Sequence, residues 1–240
     1  MAFDCLSDIT IKLLFATTAT SWGGSGCESL KRNFMRNASV TKMHSRIYGW
    51  KYVWMEFADE FKADVEDPNP DSSHTEMSVI VPVKDSGWSL TYTMHPGKKG
   101  GQDHTTVETN YNPQGDFKFT LYPEKWTDGF AKALGMQDIV VGHPEFDKLF
   151  IIKGNDEQRI IDLFQDEKLR RQLIDEPAMQ LWAHTEHTDV SPSPKAMRGG
   201  HNRLAMRVQG AVDDFERLKS FYHLKHKMLA NLIRIGAASE

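Results

Sequence analysis

The chain has 240 residues, of which 40% are hydrophobic, including 13 Phe, so it can bury a substantial core. A net charge of −4 and a pI near 6.2 argue against a dedicated nucleic-acid-binding protein, which is normally basic. The two cysteines, Cys5 and Cys27, exclude a disulfide-rich scaffold, and no apolar run approaches the roughly 20 residues of a membrane span. Because the first residues are acidic rather than basic, a signal peptide is not predicted and we expect a cytoplasmic protein.

Residues 1–46 are predicted to form a peripheral, helical N-terminal segment, and residues 47–240 a single α+β domain. Residues 27–46 carry several Lys and Arg residues. We interpret this basic stripe as a solvent-exposed helix face rather than as a surface for an acidic partner.

Residues 48–61 are dense in aromatic side chains. The pattern fits a strand or a helix, but Trp50, Tyr52 and Trp54 alternate with Lys51 and Val53, which favours a strand at the beginning of the segment, with one aromatic face. At an acidic pI such a face is more often part of the core than a surface that stacks bases or sugars.

Residues 67–73 form a polar loop with the pattern Asp67-x-Asn69-x-Asp71, which resembles the start of a calcium-binding loop. Ser72 stands where that loop needs Gly, and Ser78 stands where it needs a bidentate Glu. We therefore do not predict a calcium site here.

Four segments with period-two alternation then follow and predict an antiparallel meander with one polar face. They are residues 77–83, 88–94, 105–111 and 116–122. The Gly- and Lys-rich loop at residues 96–101 is predicted to be a hairpin turn, because it lacks the phosphate-binding pattern G-x-x-x-x-G-K-[ST] and opens no helix. A short helix is predicted at residues 126–134, ending at Gly135.

The clearest signal in the chain runs from Gly135 to Leu173. A short β-branched run at residues 139–141 is broken by Gly142-His143-Pro144, and residues 146–153 are predicted to be a second strand. Asn155 is predicted to cap one long helix that continues to Leu173, with Gln158 completing a capping box.

The pattern Gly142-x-Pro144-x-Phe146-Asp147-x-x-Phe150, followed by a Gly-Asn-Asp turn and a Leu-rich helix, resembles a widespread bacterial family of unknown function. The resemblance covers residues 135–173 and implies further strands and a final helix. It implies no activity, since that family has none established, and it supplies no catalytic residue.

Downstream, residues 177–182 are predicted to form a short element and residues 185–200 a loop. Residues 202–208 alternate Leu204, Met206 and Val208 against Arg203, Ala205 and Arg207, which predicts a strand. A last amphipathic helix is predicted from a cap at Asp213 or Asp214 to about Ile235.

Histidines form the sharpest set of candidate ligands. His184 and His187 flank Glu186, and His223 and His226 are neighbours on the surface of the last helix, so the two pairs together could hold zinc. The spacing departs from H-E-x-x-H, and a chain with ten histidines contains near pairs by chance. The interpretation we favour is that these are surface and loop histidines.

Other catalytic patterns are weak. Neither cysteine lies near a base in the sequence, and no G-x-S-x-G elbow is present. Asp138, Glu145 and Asp147 cluster around the central turn and could act as acid or base. We predict instead that Asp147 braces the turn through hydrogen bonds to backbone amides.

The sequence therefore predicts an α+β fold: an antiparallel meander sheet in residues 47–134, followed by a strand–helix–strand–helix unit in residues 135–240. The leading function hypothesis is a non-catalytic cytosolic binding or assembly module, with a protein partner or a second copy of the chain and no cofactor. The alternative is a metal-dependent hydrolase that uses zinc held by His184, His187, His223 and His226.

Overall fold

The structure is a computed structural model that describes residues 49–84, 86–98, 101–125, 137–185 and 202–239. The predicted N-terminal segment at residues 1–46, the predicted helix at 126–134 and the predicted loop beyond residue 185 lie outside these ranges. The elements given below fall within one compact unit, Tyr48–Glu240.

The described residues form ten strands and five helices. The helices are α1 (Gly49–Phe61), α2 (Pro144–Leu149), α3 (Glu157–Leu163), α4 (Glu167–Ile174) and α5 (Phe215–Arg234). The strands are β1 (Asp64–Glu66), β2 (Met77–Pro82), β3 (Ser89–His95), β4 (His104–Pro113), β5 (Phe119–Pro123), β6 (Gln137–Ile139), β7 (Phe150–Gly154), β8 (Gln180–Thr185), β9 (Asn202–Gln209) and β10 (Ala238–Ser239).

All the strands join one antiparallel sheet in the order β1-β2-β3-β4-β9-β8-β5-β7-β6, and β10 pairs with the end of β4. The α+β class and the five strands predicted from alternation are confirmed. The meander holds only from β1 to β4, because β9 and β8 lie between β4 and β5. The two predicted parts of the domain thus build a single sheet. Alternation shows which face a residue is on but not which strand lies beside it.

The aromatic segment at residues 48–61 is helical, so the prediction that it begins as a strand is wrong. Trp50, Trp54, Phe57 and Phe61 are spaced by four, three and four residues, which is also the stripe of a helix. Trp54 and Phe57 are buried on α1, and the indole Nε1 of Trp54 donates to the carbonyl of Val212 over 2.8 Å. Burial of this stripe, rather than the local alternation, decides the conformation.

The segment Phe146–Lys153 is not one strand as predicted: α2 ends at Leu149, and only β7 is extended. Gly142 has a φ of +83°, which a side chain would disfavour, and Pro144 stands in the first turn of α2. Phe146 and Phe150 are both buried and their rings lie 5.1 Å apart. Each apolar or conformationally special position of the central motif therefore has an architectural use.

The predicted cap and the predicted single helix are also wrong. Asp156, not Asn155, caps α3, because its carboxylate accepts from the amide of Arg159 over 3.1 Å. Asp166 then caps a separate helix, α4, by accepting from the amide of Leu169. Asn155 instead ties the chain before β5, with its Oδ1 accepting from the amide of Lys118 over 2.8 Å. The Asn-Asp pair offers two cap residues, and tertiary contacts select the second.

The five helices of the described residues cover one face of the sheet. Phe57 of α1 lies 4.9 Å from the ring of Tyr92 on β3, whose hydroxyl donates to the carbonyl of Leu218 on α5. At the other end, Phe119 of β5 contacts Phe164, just after α3, at 5.9 Å. Phe164 also contacts Phe146 of α2, and α4 packs against α2 and α5. The core thus lies between one sheet face and one layer of helices.

Candidate binding surface on the helix-free face of the sheet

Strand alternation places a second set of side chains on the opposite face, which none of the described helices covers and which we call the helix-free face. Because directly opposed residues share a face, the strand register identifies its members. Across β2, β3, β4, β9, β8, β5 and β7 they include Ser78, Thr93, Thr106, Arg207, Gln180, Trp182, Thr120 and Lys153. Most of these side chains are polar, as predicted, but Thr93, Thr106, Gln180 and Trp182 are buried rather than exposed to solvent.

At one end of this face two imidazoles stack. The rings of His95 on β3 and His104 on β4 are directly opposed in the register, with centroids 4.8 Å apart and planes at 23°. His95 uses both nitrogens: Nδ1 contacts Glu76 Oε2 at 2.8 Å, and Nε2 contacts Thr106 Oγ1 at 3.0 Å. His95 is therefore held in place on both sides.

His104 has a ring nitrogen without a partner: its Nδ1 is buried and makes no hydrogen bond within the described residues. Burial, together with the charges of Arg207 and His95, lowers the pKa of His104 to about 4. At neutral pH the ring is therefore uncharged.

Three cations of the helix-free face differ in their partners. Arg203 pairs with Glu108 at 3.4 Å, and Lys153 pairs with Asp138 at 3.3 Å. Arg207 is half-buried between Thr106 and Gln180 in the register, and its buried Nε has no hydrogen-bond partner. Burial also lowers the pKa of the Arg207 guanidinium. Of these three described cations, Arg207 is the one for which the structure gives no carboxylate partner.

The predicted metal ligands are not brought together in the part of the chain that the structure describes. His223 and His226 are exposed on α5, one helical turn apart. His184 pairs with Arg203 in the β8–β9 register, but its side chain lies outside the description, as does all of His187. Over the described residues no group of three or more His, Cys, Asp or Glu could hold a metal ion. The zinc site stays a prediction.

The carboxylates of the central turn are structural, as predicted for Asp147. Its two oxygens accept from the amides of Val141 and His143 over 3.0 and 2.8 Å, and its own amide donates to the carbonyl of His143. Glu145 is exposed, and Asp138 pairs with Lys153. Asp147 thus stabilises the turn that positions α2 against the core. The carboxylates of Asp138, Glu145 and Asp147 do not converge on one point.

The loop that resembles a calcium site holds an ammonium group instead. The Nζ of Lys51, which is 1% exposed, lies 2.9 and 2.7 Å from the carboxylate oxygens of Asp67 and 3.0 Å from the carbonyl of Asn69. The hydroxyl of Thr75 lies 3.4 Å away. Lys51 therefore occupies the oxygen atoms that a cation would need, which fits the rejection of calcium from the sequence.

A second buried lysine was not foreseen. Lys225 on α5 is fully buried, and its Nζ donates to the carbonyl of Leu204 on β9 over 2.7 Å. Burial lowers its pKa well below 10.5, with Glu108 opposing. The helical pattern placed Lys225 outside, but three apolar neighbours at residues 221, 224 and 228 carry it into the core.

The functional candidates that sequence reasoning missed are His95, His104 and Arg207. Arg207 lies at a polar position of the predicted strand 202–208, whereas His95 and His104 lie one residue beyond the predicted strands 88–94 and 105–111. What was absent was the strand order, which alone brings β3, β4 and β9 side by side. Without it, a polar position on one strand cannot be assigned a neighbour.

No protein-family model matches the sequence, and no curated protein sequence matches it. One solved structure has the same fold: the mycobacterial trehalose monomycolate transport factor A, TtfA, with a TM-score of 0.52. The two chains are 8% identical, and the match covers 80% of this chain and 99% of that one. None of the described helices is both long enough and apolar enough to cross a membrane. The likeness to TtfA is one of fold alone.

Proposed function

We propose that the protein is a non-catalytic binding or assembly module that acts in the cytoplasm through the helix-free face of its sheet. The observation that carries this proposal is the asymmetry of the sheet. One face is covered by the five described helices, whereas the other carries mostly polar side chains, with two stacked imidazoles and a guanidinium whose buried Nε has no hydrogen-bond partner among the described residues. Buried polar groups that make no hydrogen bond destabilise the fold. Binding of a macromolecule that supplies those hydrogen bonds would therefore be favoured.

The edge strands of the sheet are poorly suited to bind a partner, so we place the contact surface on the face of the sheet. In the described part of the chain, the outermost strands β1 and β6 have three residues each. Both carry acidic residues: Asp64 and Glu66 on β1, and Asp138 on β6. Short, charged edge strands oppose strand-to-strand association between molecules.

The fold is also that of a protein named a transport factor, TtfA. A fold does not determine an activity. The likeness therefore adds only that another protein with this architecture has a name that refers to transport. The partner we propose is a protein or a second copy of this chain.

Site-directed photo-crosslinking in cells that express the protein tests this proposal. A photoreactive amino acid is placed at Thr91 or Thr120 on the helix-free face, and at exposed Glu216 or His223 on α5 as matched controls. We expect adducts of discrete mass from the two face positions and not from the two helix positions. Mass spectrometry then identifies the adduct, and the contact is reproduced with the purified component. Equal adducts from all four positions, or none from the face, would contradict the proposal.

The alternative function, a zinc-dependent hydrolase, rests on the sequence pairs of His184, His187, His223 and His226. It stays a prediction, since His187 lies outside the described residues. Metal analysis of protein purified without a His tag tests it. One zinc per chain that is lost in His184→Ala and His187→Ala would establish the metal site, and substoichiometric zinc unaffected by these changes would remove it.

A further inference from the structure

We propose that the stacked rings of His95 and His104 form an acid-sensitive switch at the loop end of the β3–β4 hairpin. In the closed state the rings stack as in the structure, and in the open state His104 has taken up a proton and left the stack. The two residues are the last opposed pair of the β3–β4 register, so the switch lies where the two strands separate. It concerns the conformation of the fold and is independent of the proposed function.

The two rings differ in the partners that the fold gives them. His95 contacts the carboxylate of Glu76 at 2.8 Å and the hydroxyl of Thr106 at 3.0 Å, so a protonated His95 has an acceptor for each N–H. His104 is half-buried with its ring 4.8 Å from that of His95, and its Nδ1 has no hydrogen-bond partner among the described residues. A proton on the pair therefore has a place on His95 and none on His104.

A proton on His104 is disfavoured for two reasons. A protonated imidazole carries an N–H on both nitrogens, so one buried N–H would lack an acceptor within the described residues. The charged groups that face the ring are His95 on β3, Arg207 on β9 and Asp103 beside it in the chain, with Glu76 acting through His95. Burial, followed by the charges of Arg207 and His95, outweighs the charge of Asp103 and lowers the pKa of His104 from 6.5 to about 4.

Asp103, directly before His104, ties the hairpin to the end of β9. Its Oδ1 accepts from the amide of Gly97 over 2.8 Å, and its carbonyl accepts from the amide of Gly210 over 2.7 Å. Because Asp103 and His104 share a peptide bond, a displacement of the imidazole strains both of these hydrogen bonds. Departure of His104 from the stack therefore loosens the hairpin turn and the end of β9 together.

Thr105, directly after His104, extends the same link to α1. Its hydroxyl donates to the carbonyl of Gly210 over 3.0 Å and accepts from the amide of Val212 over 3.3 Å. The carbonyl of Val212 in turn accepts from the indole Nε1 of Trp54 on α1. The open state thus disturbs the connection between β9 and α5 and its contact with α1. It leaves β5 and β7, which lie beyond β8 in the sheet, in place.

The direction of the pH dependence follows from two pKa values of His104. The open state has the ordinary pKa of 6.5, and the closed state has a pKa of about 4. Between these values the open state binds a proton that the closed state does not, so each unit fall in pH favours opening about tenfold. Across the whole window the shift is roughly 300-fold. The advantage of the closed state is complete above pH 6.5 and is lost as the pH falls to about 4.

Two NMR measurements on the full chain test the switch. A titration of the imidazole rings is expected to give His104 a midpoint near 4. Hydrogen exchange between about pH 4.5 and 6.5 is expected to show that the amides of Gly210 and Val212 lose protection about tenfold per pH unit, relative to an unstructured chain. The paired amides of β5 and β7 should stay better protected at every pH, since they exchange only when the whole fold opens.

Two variants of His104 separate titration from packing. His104→Gln removes the titrating group and His104→Phe keeps a ring for the stack, and both should abolish the pH dependence of protection at Gly210 and Val212. His74→Gln removes an exposed histidine and is the matched control, which should keep the wild-type dependence. Arg207→Gln should raise the midpoint of His104, because the charge of Arg207 is among the causes that lower it. A backbone amide spectrum identifies any variant that does not fold, and in that case the wild-type measurements decide.

A His104 midpoint near 6.5 would overturn the switch, because the closed state would then hold a protonated ring. Protection at Gly210 and Val212 that stays constant with pH, or that equals the protection of the β5 and β7 amides, would overturn it as well. In either case no local opening would be linked to the proton. Survival of the pH dependence in both folded His104 variants would show that another group titrates, and would also remove the switch.

Discussion

Replacing Asp147 by Ala should destabilise the protein by about 3 kcal/mol. The carboxylate accepts two backbone hydrogen bonds, from Val141 at 3.0 Å and from His143 at 2.8 Å. A hydrogen bond to a charged group contributes about 1.5 to 3 kcal/mol, and the half-exposed position of Asp147 places each bond at the lower end of that range. The substitution also leaves the two amides without an acceptor in the turn that positions α2.

Two further variants make this test specific. Asp147→Asn keeps one acceptor oxygen and loses the charge, so it should cost roughly half as much as the Ala variant. Glu145→Ala removes a carboxylate from the first turn of the same helix but from an exposed position, and should cost less than about 0.5 kcal/mol. Urea unfolding measures all three, and an unchanged denaturant slope shows that the midpoints report stability.

A destabilisation by Asp147→Ala no larger than that by Glu145→Ala would contradict this prediction. In that case the turn would be held by Gly142 and Pro144 without the carboxylate. An Asp147→Asn variant as unstable as the Ala variant would show instead that charge, and not the number of acceptors, fixes the turn.

Three other changes can be followed by the same unfolding measurements. Gly154→Ala should destabilise the protein by about 1 to 3 kcal/mol, since its Cβ would lie 2.1 Å from Cδ1 of Ile160 and 2.8 Å from the backbone oxygen of Lys118. Adding Ile160→Val should recover only the part of the loss that is due to Ile160, and no recovery would contradict a clash with Ile160. Burial raises the pKa of Asp166, but hydrogen bonds from Lys227 and Asn231 outweigh it and hold the pKa at about 2, below the ordinary 3.8. About 2 kcal/mol of stability that is present above pH 4 should therefore be lost as the pH falls towards 2. Asp166→Asn should remove that part of the acid dependence. Burial lowers the pKa of Lys225, so the unfolded chain binds more protons at this site than the folded chain. Stability should therefore rise with pH between about 7 and 10 in the wild type and not in Lys225→Met. Parallel stability profiles of the two proteins would refute this prediction.

Local sequence patterns predicted β2, β3, β4, β5, β9 and the final helix well because each has an unbroken period of two or of about 3.6. They failed where two readings fit the same residues. Trp50 and Trp54 belong both to an alternating run and to a helical stripe, and only burial against Tyr92 decides between them. Asn155 and Asp156 are adjacent cap candidates, but the side chain of Asn155 accepts a hydrogen bond from the amide of Lys118, just before β5, and so does not cap the helix.

The candidate site could not be assembled from the sequence, because its parts are distant in the chain. His95 and His104 meet across a hairpin and were within reach of a register argument. Arg207 joins them only because β9 pairs with β4, about a hundred residues earlier. That no carboxylate of the described residues pairs with Arg207 depends on several strands together, which no single segment encodes.

The pairing of β4 with β9 also bears on how the protein is made. As the polypeptide leaves the ribosome, β1 to β4 can pair in sequence, but β4 keeps an open edge until residue 209 has emerged. Contacts so far apart in sequence slow folding, and an open edge is prone to associate with other chains. A product truncated before β9 would therefore be expected to aggregate rather than fold as a smaller domain, and chaperones would act during that interval of synthesis.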